Sequence, residues 1–245
     1  MGKKPVWISH RGYCRVAAEN SRVSFQAAVE RGFGVLETDL RTTKDGIVVL
    51  AHDRDLFRLT GYRLLIDQIS FAELADIRLK DGQSILTLSR FIKEFVHQDW
   101  IFDIKPESGR QTIDALYDLV RKEGMLERVV HQGRFLFWQR DDQDYFYRLF
   151  PEGRCLATMG ECYRAGIACL LGLSKYGRIE KGKTYSLPPR FVGIDLYRER
   201  LIKQYHLLGA RVLSYLPRTV DQVKTAILAG VDEILTDGEV VRDVE

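Results

Sequence analysis

The chain has 245 residues, 45% of them hydrophobic and 29% charged, a balance that excludes a disordered polypeptide and allows a sizeable buried core. Its formal net charge of +3 comes from 37 Lys and Arg against 34 Asp and Glu spread along the chain, without the basic stripe that nucleic-acid binding requires. No window approaches the roughly 18 apolar residues of a membrane span, and M-G-K-K-P-V-W-I-S-H is too poor in apolar residues for a signal-peptide core. The expectation is a soluble cytoplasmic protein with no stable membrane insertion.

Val6–Ser9 reads as a short strand that delivers His10-Arg11-Gly12 at its end. An amphipathic helix follows, with Asn20 or Ser21 as N-cap and Phe25, Ala28 and Val29 on one face. Val35–Leu40 and Ile47–Ala51 are two apolar runs separated by a polar segment ending in Asp45-Gly46, a strand-turn-strand signal. The connection is too short for a parallel crossover, so the second run returns antiparallel. A turn centred on Lys44-Asp45 places His52 opposite Glu37, and one centred on Asp45-Gly46 places it opposite Asp39.

Residues 55–98 form an excursion that contains the capping-box pattern Ser70…Glu73 and the helical spacing Leu88, Phe91, Ile92, Phe95. They are expected to be an insertion covering one mouth of the structure. Trp100–Ile104 is a strand carrying Asp103 and Lys105 on one face, stopped by Pro106, and a helix through Ile113, Leu116, Tyr117 and Val120 ends at Gly124. A strand at Val129–His131, an aromatic-rich helix Phe135–Phe150 and a short run at 155–158 come next. A helix Glu161–Leu173 should turn Tyr163, Ile167, Leu170 and Leu171 inward, and residues 174–190 read as a polar loop. The alternation then resumes: strand Phe191–Leu196, helix Leu201–Leu208, strand Arg211–Leu216, helix Val220–Leu228, strand Glu233–Thr236. Setting aside the hairpin return leaves eight strands, which predicts an α/β fold, a closed TIM (β/α)8 barrel, as one domain over 1–245. An open doubly wound sheet would bring a G-x-G-x-x-G loop, and none is present. Cys155, Cys162 and Cys169 recur every seven residues, which is not zinc-ligand spacing; with Cys14 they are read as free thiols.

In such a barrel, chemistry gathers at the C-terminal ends of the strands. His10, Arg11, Glu37, Asp39, His52, Asp103 and Lys105 all fall at or near such ends. Singly each has a structural reading: Glu37 and Asp39 as a solvated strand face, Asp103 with Lys105 as an ion pair. Together they suit one task. Three hard oxygen donors, Glu37, Asp39 and Asp103, fit Mg²⁺ or Ca²⁺; Arg11 and Lys105 fit a phosphate group of a small-molecule substrate; His10 and His52 fit acid and base. His97 and His206 are read as structural helix residues, and His131, at a strand end, stays a further candidate.

The motifs H-R-G, E-N-S, E-T-D-L-R-T-T-K-D-G-I-V-V-L-A-H-D and L-F-R-L-T-G over residues 8–61 resemble the glycerophosphodiester phosphodiesterase family, with D-I-K at 103–105 and A-G-V-D-E-I-L-T-D at 229–237 extending the likeness. The resemblance implies a TIM barrel in which Glu37, Asp39 and Asp103 hold the metal, His10 and His52 form the acid-base pair, and Arg11 contacts phosphate. Glu19 and Asn20 would shape the site. It further implies hydrolysis to glycerol 3-phosphate and an alcohol through a cyclic phosphate. Departures are Asp103 where the family usually has Glu, S-Y-L-P at 214–217 in place of an aromatic wall, and H-Q-G-R at 131–134, expected to add a cation after the fifth strand and shift substrate choice toward a bulkier or more anionic diester. Alternatives are a lysophospholipase D-like phosphodiesterase, which an apolar mouth loop would favour although the 174–190 loop is polar, a metal-bound non-catalytic binding barrel, and an enolate lyase or isomerase.

Overall fold

The computed structural model describes residues 4–238, in two compact units: Ser9–Arg154, and the residues up to Ile8 together with those from Cys155 onward. Met1–Lys3, part of the leader reading, and both ends of the 1–245 domain bounds lie outside the described residues.

The first unit begins with Ser9 and His10 at the end of β1 (Val6–His10), followed by α1 (Arg22–Glu30). Ser21 caps α1 with a reciprocal bond to Ser24, which stops the helix from extending back into the H-R-G loop. The strands β2 (Val35–Thr42) and β3 (Val48–Leu50) form the expected hairpin. Lys44-Asp45-Gly46 is its loop: Gly46 has φ +85° and the Thr43 and Ile47 main chains pair across it. A three-residue loop sets a register between the two weighed above. Arg41 faces Val49, Ala51 N–H donates to Asp39, and extending the register places Thr38 opposite His52.

Three short helices follow, α2 (Phe57–Thr60), α3 (Phe71–Ala75) and α4 (Leu88–Glu94). Ser70 and Glu73 make the capping box at α3, and Leu56, Ile66 and Leu74 pack on Val49 and Ala51 as a small separate core. Then come β4 (Asp99–Ile104), α5 (Gly109–Lys122), α6 (Leu126–Gln132), β5 (Gly133–Phe137) and α7 (Arg140–Leu149). The strands β2, β4 and β5 are parallel neighbours, and the outward faces of β4 and β5 build an aromatic core. Phe102 lies 5.5 Å from Phe135, and Phe135 lies 4.4 Å from Phe146 of α7. Each such pair contributes about 0.5–1.5 kcal/mol beyond the area it buries.

Two readings fail here. Val129–His131 belongs to helix α6, and the strand is Gly133–Phe137, which overlaps the start of the stretch Phe135–Phe150 read as aromatic helix. A short apolar run is compatible with either state, and Phe102 selects the F-L-F segment as the strand by packing on Phe135. His131 therefore sits on a helix, paired with Glu127, and the 131–134 cation enters at the start of β5 instead of following its end.

The second unit holds β6 (Arg154–Cys155), whose Arg154 closes the first unit, then α8 (Met159–Leu170), β7 (Thr184–Leu187), a hairpin of β8 (Arg190–Phe191) and β9 (Ile194–Asp195), α9 (Glu199–Leu207), β10 (Arg211–Tyr215), α10 (Val220–Ala229) and β11 (Glu233–Thr236). The strands β7, β10 and β11 are parallel in that order, with Val6 of β1 bonded to Asp232 just before β11. Tyr185, Tyr205, Val212, Val223 and Ile234 form the core.

The 174–190 segment is not one polar loop, since T-Y-S-L within it is the buried strand β7, and Phe191–Leu196 is a surface hairpin instead of a sheet strand. Among the described residues there are eight sheet strands besides β3, the number expected, but two of the expected strands were placed in the wrong stretch. Helix α8 turns Ala165, Gly166 and Cys169 inward, toward Tyr205, and leaves Tyr163, Ile167 and Leu171 exposed. Small residues let α8 lie close to two tyrosines, which overrides the hydrophobicity of the opposite face. Cys155 is on a strand, so only Cys162 and Cys169 share a helix; none of the four cysteines is in a disulfide, only Cys169 is fully buried while Cys14 is exposed, and burial pushes both helical thiols up to about 11. Among the described residues no helix is long and apolar enough to cross a membrane.

Candidate active site

The candidate site lies wholly in the first unit. Residues two apart on a strand share a face, so Glu37 and Asp39 of β2 project together. The parallel register then sets Asp39 directly beside Asp103 of β4. Glu37, Asp39 and Asp103 are all buried, and they offer oxygens that lie within 4.8 Å of one another. Such a set is costly without cations.

Two cations reach it. Lys105, just past the end of β4, places Nζ 2.6 Å from both Asp39 Oδ1 and Asp103 Oδ2. Arg11 places Nε 3.0 Å from Asp39 Oδ2, which also accepts from Asn20 Nδ2 at 2.9 Å. The H-R-G loop is built for this approach. Arg11 has φ +56° and Gly12 +88°, and a Cβ on Gly12 would lie 2.3 Å from Ser24 Oγ, so only glycine fits. The main-chain N–H of Arg11 donates to both the carbonyl and the carboxylate of Glu37, at 3.0 and 3.2 Å.

The titration directions follow from this arrangement. Burial opposes ionisation of Asp39, but Lys105 and Arg11 outweigh it and hold the carboxyl below its usual range. Burial raises Asp103 against the pull of Lys105. Burial, with Asp39 alongside, pushes Glu37 up to about 8, although His10 and Arg11 act in the other direction. Lys105 is raised despite burial, because Asp103 and Asp39 hold its ammonium charged. Three carboxylates thus face two cations, and Glu37 is the one left without a strong partner. A buried, oxygen-only donor set with unmatched negative charge fits a hard divalent cation.

The two histidines differ. His10 is buried at the end of β1, with Nε2 4.0 Å from Glu37 Oε2. The expected placement of His52 opposite Glu37 or Asp39 is not realised. Its strand ends at Leu50, so the pleat no longer fixes its direction, and the ring pairs instead with Asp53, Nδ1 to Oδ1 at 2.7 Å. Burial opposes ionisation of Asp53, but His52 and Arg58 hold it below the usual range. An ionised Asp53 only accepts, so His52 donates from Nδ1, and in the neutral ring this leaves Nε2 as the acceptor.

Several positioning residues were not singled out from sequence. The Arg41 guanidinium donates twice to the His52 carbonyl, at 2.9 and 2.7 Å. Arg58 of α2 bonds Asp53 at 2.6 Å and grips Glu19 at 2.6 and 3.0 Å, and Glu19 in turn accepts from Arg11. The indole of Trp138, directly after β5, donates to Asp103 Oδ1 at 2.8 Å while its ring centroid lies 5.5 Å from Lys105 Nζ. Reading β5 as a helix hid Trp138; with the strand located, its position one residue past the end is the signal. Trp138 also gives the site an aromatic face, and its N–H fixes the short Asp103 side chain.

The Glycerophosphoryl diester phosphodiesterase family model matches residues 10–238. A Mycobacterium tuberculosis protein named "Probable glycerophosphodiester phosphodiesterase 2" is 27% identical over 97% of this chain and 89% of its own length. Among solved structures, the glycerophosphoryl diester phosphodiesterase domain of another M. tuberculosis protein superposes with a TM-score of 0.82 at 16% identity, covering 96% of each chain. An Oleispira antarctica phosphodiesterase in complex with its product sn-glycerol-3-phosphate gives 0.72 at 20% identity, over 95% of this chain and 93% of that one. The fold is the α/β, (β/α)8 barrel type of these neighbours, and the chain belongs to the glycerophosphoryl diester phosphodiesterase family of enzymes.

Proposed function

We propose that the protein hydrolyses glycerophosphodiesters to glycerol 3-phosphate and an alcohol. The observation that carries this reading is the buried meeting of Glu37, Asp39 and Asp103 with Lys105, Arg11 and His10 in a chain of this family. Glu37, Asp39 and Asp103 would hold Mg²⁺ or Ca²⁺, which when bound stabilises negative charge on the phosphoryl oxygens. Arg11 and Lys105 bind the phosphate, Arg11 as a planar fork and Lys105 as a point charge. His52 offers Nε2 as the acceptor for the glycerol 2-hydroxyl proton, because Asp53 keeps the other ring nitrogen protonated. The hydroxyl oxygen attacks phosphorus, and the departing alcohol takes a proton from His10. Water then opens the cyclic phosphate with the two roles reversed.

We further read the chain as one catalytic domain with residues 55–98 as an insertion over the site. The reach of Arg58 from that segment to Glu19 and Asp53 supports this.

The test is incubation with glycerophosphocholine in Mg²⁺, Ca²⁺ or EDTA, measuring glycerol 3-phosphate. Release should require the cation, and His10→Ala or His52→Ala should lower it by about 10²–10⁴-fold with the fold intact by circular dichroism. Turnover in EDTA equal to that with metal, or full activity in either variant, overturns the corresponding assignment.

A further inference from the structure

The second unit carries an apolar face that its own core does not use. On α8 and its C-cap, Tyr163, Ile167 and Leu171 recur every four residues and are 47%, 48% and 68% exposed, opposite the Ala165 and Cys169 side. The stripe continues onto a 3-10 turn at Ser174–Tyr176, which packs on α8 through Gly177, and there Tyr176 is 77% exposed. At its other end Tyr163 lies 5.4 Å from Phe191 in the β8–β9 hairpin.

The hairpin tip is unusual. Phe191 pairs with Ile194 across a two-residue turn, Val192-Gly193, whose φ values are +46° and +76°. Turns of this kind favour Asn or Asp at the first position, and a β-branched residue there is strained. Val192 is also 83% exposed, so the position combines backbone strain with an apolar side chain in water. Asn would remove both penalties. Retention of strain of this kind points to use of the side chain.

Charge selects the occupant. The segment after α8 exposes Lys175, Arg178 and Lys181 against Glu180 alone. A second copy of the chain meeting this face two-fold would set these cations against themselves. An anionic surface would instead be complementary to them, and tyrosine with aliphatic side chains beside lysine is the composition of an interfacial lipid contact.

We propose that this face, formed by α8, the following 3-10 turn and the hairpin tip at Val192, seats the protein peripherally on an anionic lipid surface. Tyr176, Leu171 and Val192 enter the headgroup layer, and Lys175, Arg178 and Lys181 meet anionic headgroups. The contact is peripheral and needs no membrane-spanning segment.

The experiment is co-sedimentation of the full chain with phosphatidylcholine vesicles prepared with and without phosphatidylglycerol. Binding is expected only with phosphatidylglycerol and should weaken as salt is raised. Val192→Asn should reduce binding about tenfold while raising the melting temperature, a combination that loss of folding cannot produce. Lys175→Glu with Lys181→Glu should abolish the preference for anionic vesicles, leaving release of glycerol 3-phosphate from soluble substrate unchanged. Absence of sedimentation with either vesicle type, undiminished binding by Val192→Asn, or a concentration-dependent dimer in analytical ultracentrifugation that Val192→Asn dissolves would each overturn the proposal.

Discussion

The two units bury charge in different ways. In Ser9–Arg154, Glu37, Asp39, Asp103 and Lys105 converge with Arg11 and His10 on a single focus. In the second unit, buried acids occur as separate pairs: Glu161 with Lys183 at 2.9 Å, and Glu233 with Arg211 at 2.8 Å. Glu161 also closes the capping box of α8 with Thr158, so its charge is matched by an ammonium and by the helix N-terminus. A matched pair of this kind serves the fold. A cluster in which acids outnumber cations works against the fold and marks where a ligand is to bind.

The sharpest way to break this contrast is to neutralise the acids one at a time. Asp39→Asn removes the shared partner of Lys105 and Arg11 and leaves cations buried, so the metal-free protein should lose about 3–5 kcal/mol. Glu37→Gln should leave stability unchanged or raise it, because that carboxylate lacks a strong partner. Both should abolish metal-dependent turnover. Urea unfolding of the two variants without metal checks the difference, and equal destabilisation would remove the distinction between matched and unmatched acids.

Next in size is the control pair. Glu161 is held below its usual range, with burial outweighed by Lys183 and the Thr158 N–H. A depressed carboxyl binds fewer protons folded than unfolded, so its contribution is present above the unfolded value, near 4.5, and is lost as pH falls through the lower folded value. Glu161→Gln should therefore cost about 1–3 kcal/mol at neutral pH. The difference from the parent should close progressively as pH falls below the mid-fours, in parallel urea titrations, with activity at neutral pH retained. A difference that persists unchanged in acid would show that lost packing, not charge, sets the cost.

The smallest effect tests orientation within the cluster. Trp138→Phe keeps a ring over Lys105 but deletes the N–H that fixes Asp103. Support of this kind changes metal affinity by about 10–100-fold, so Mn²⁺ titration calorimetry should show weaker binding with only a small change in melting temperature. Unaltered affinity would reduce Trp138 to a covering residue.

Much of the first unit was legible in the sequence because its signals are local. Alternation along β2 puts Glu37 and Asp39 on one face, Gly46 marks the hairpin, and Ser21, Ser70 and Gly124 mark helix ends, each through the dihedral or hydrogen bond that residue type supplies. The misread stretches were those where local signals are degenerate. V-V-H and F-L-F are both short apolar runs, and T-Y-S-L is too polar to announce a buried strand; their states were chosen by Phe102 and by Val212, distant in sequence.

By itself, then, the sequence determined the family and supplied seven candidate site residues, because composition, spacing and motif are properties of the chain. Tertiary structure alone decided that Asp39 stands beside Asp103, that Lys105 bridges them, that His52 turns to Asp53, and that Trp138 enters the site. Register between strands and the direction of a side chain beyond a strand end are fixed by partners far along the chain, and no local pattern encodes them.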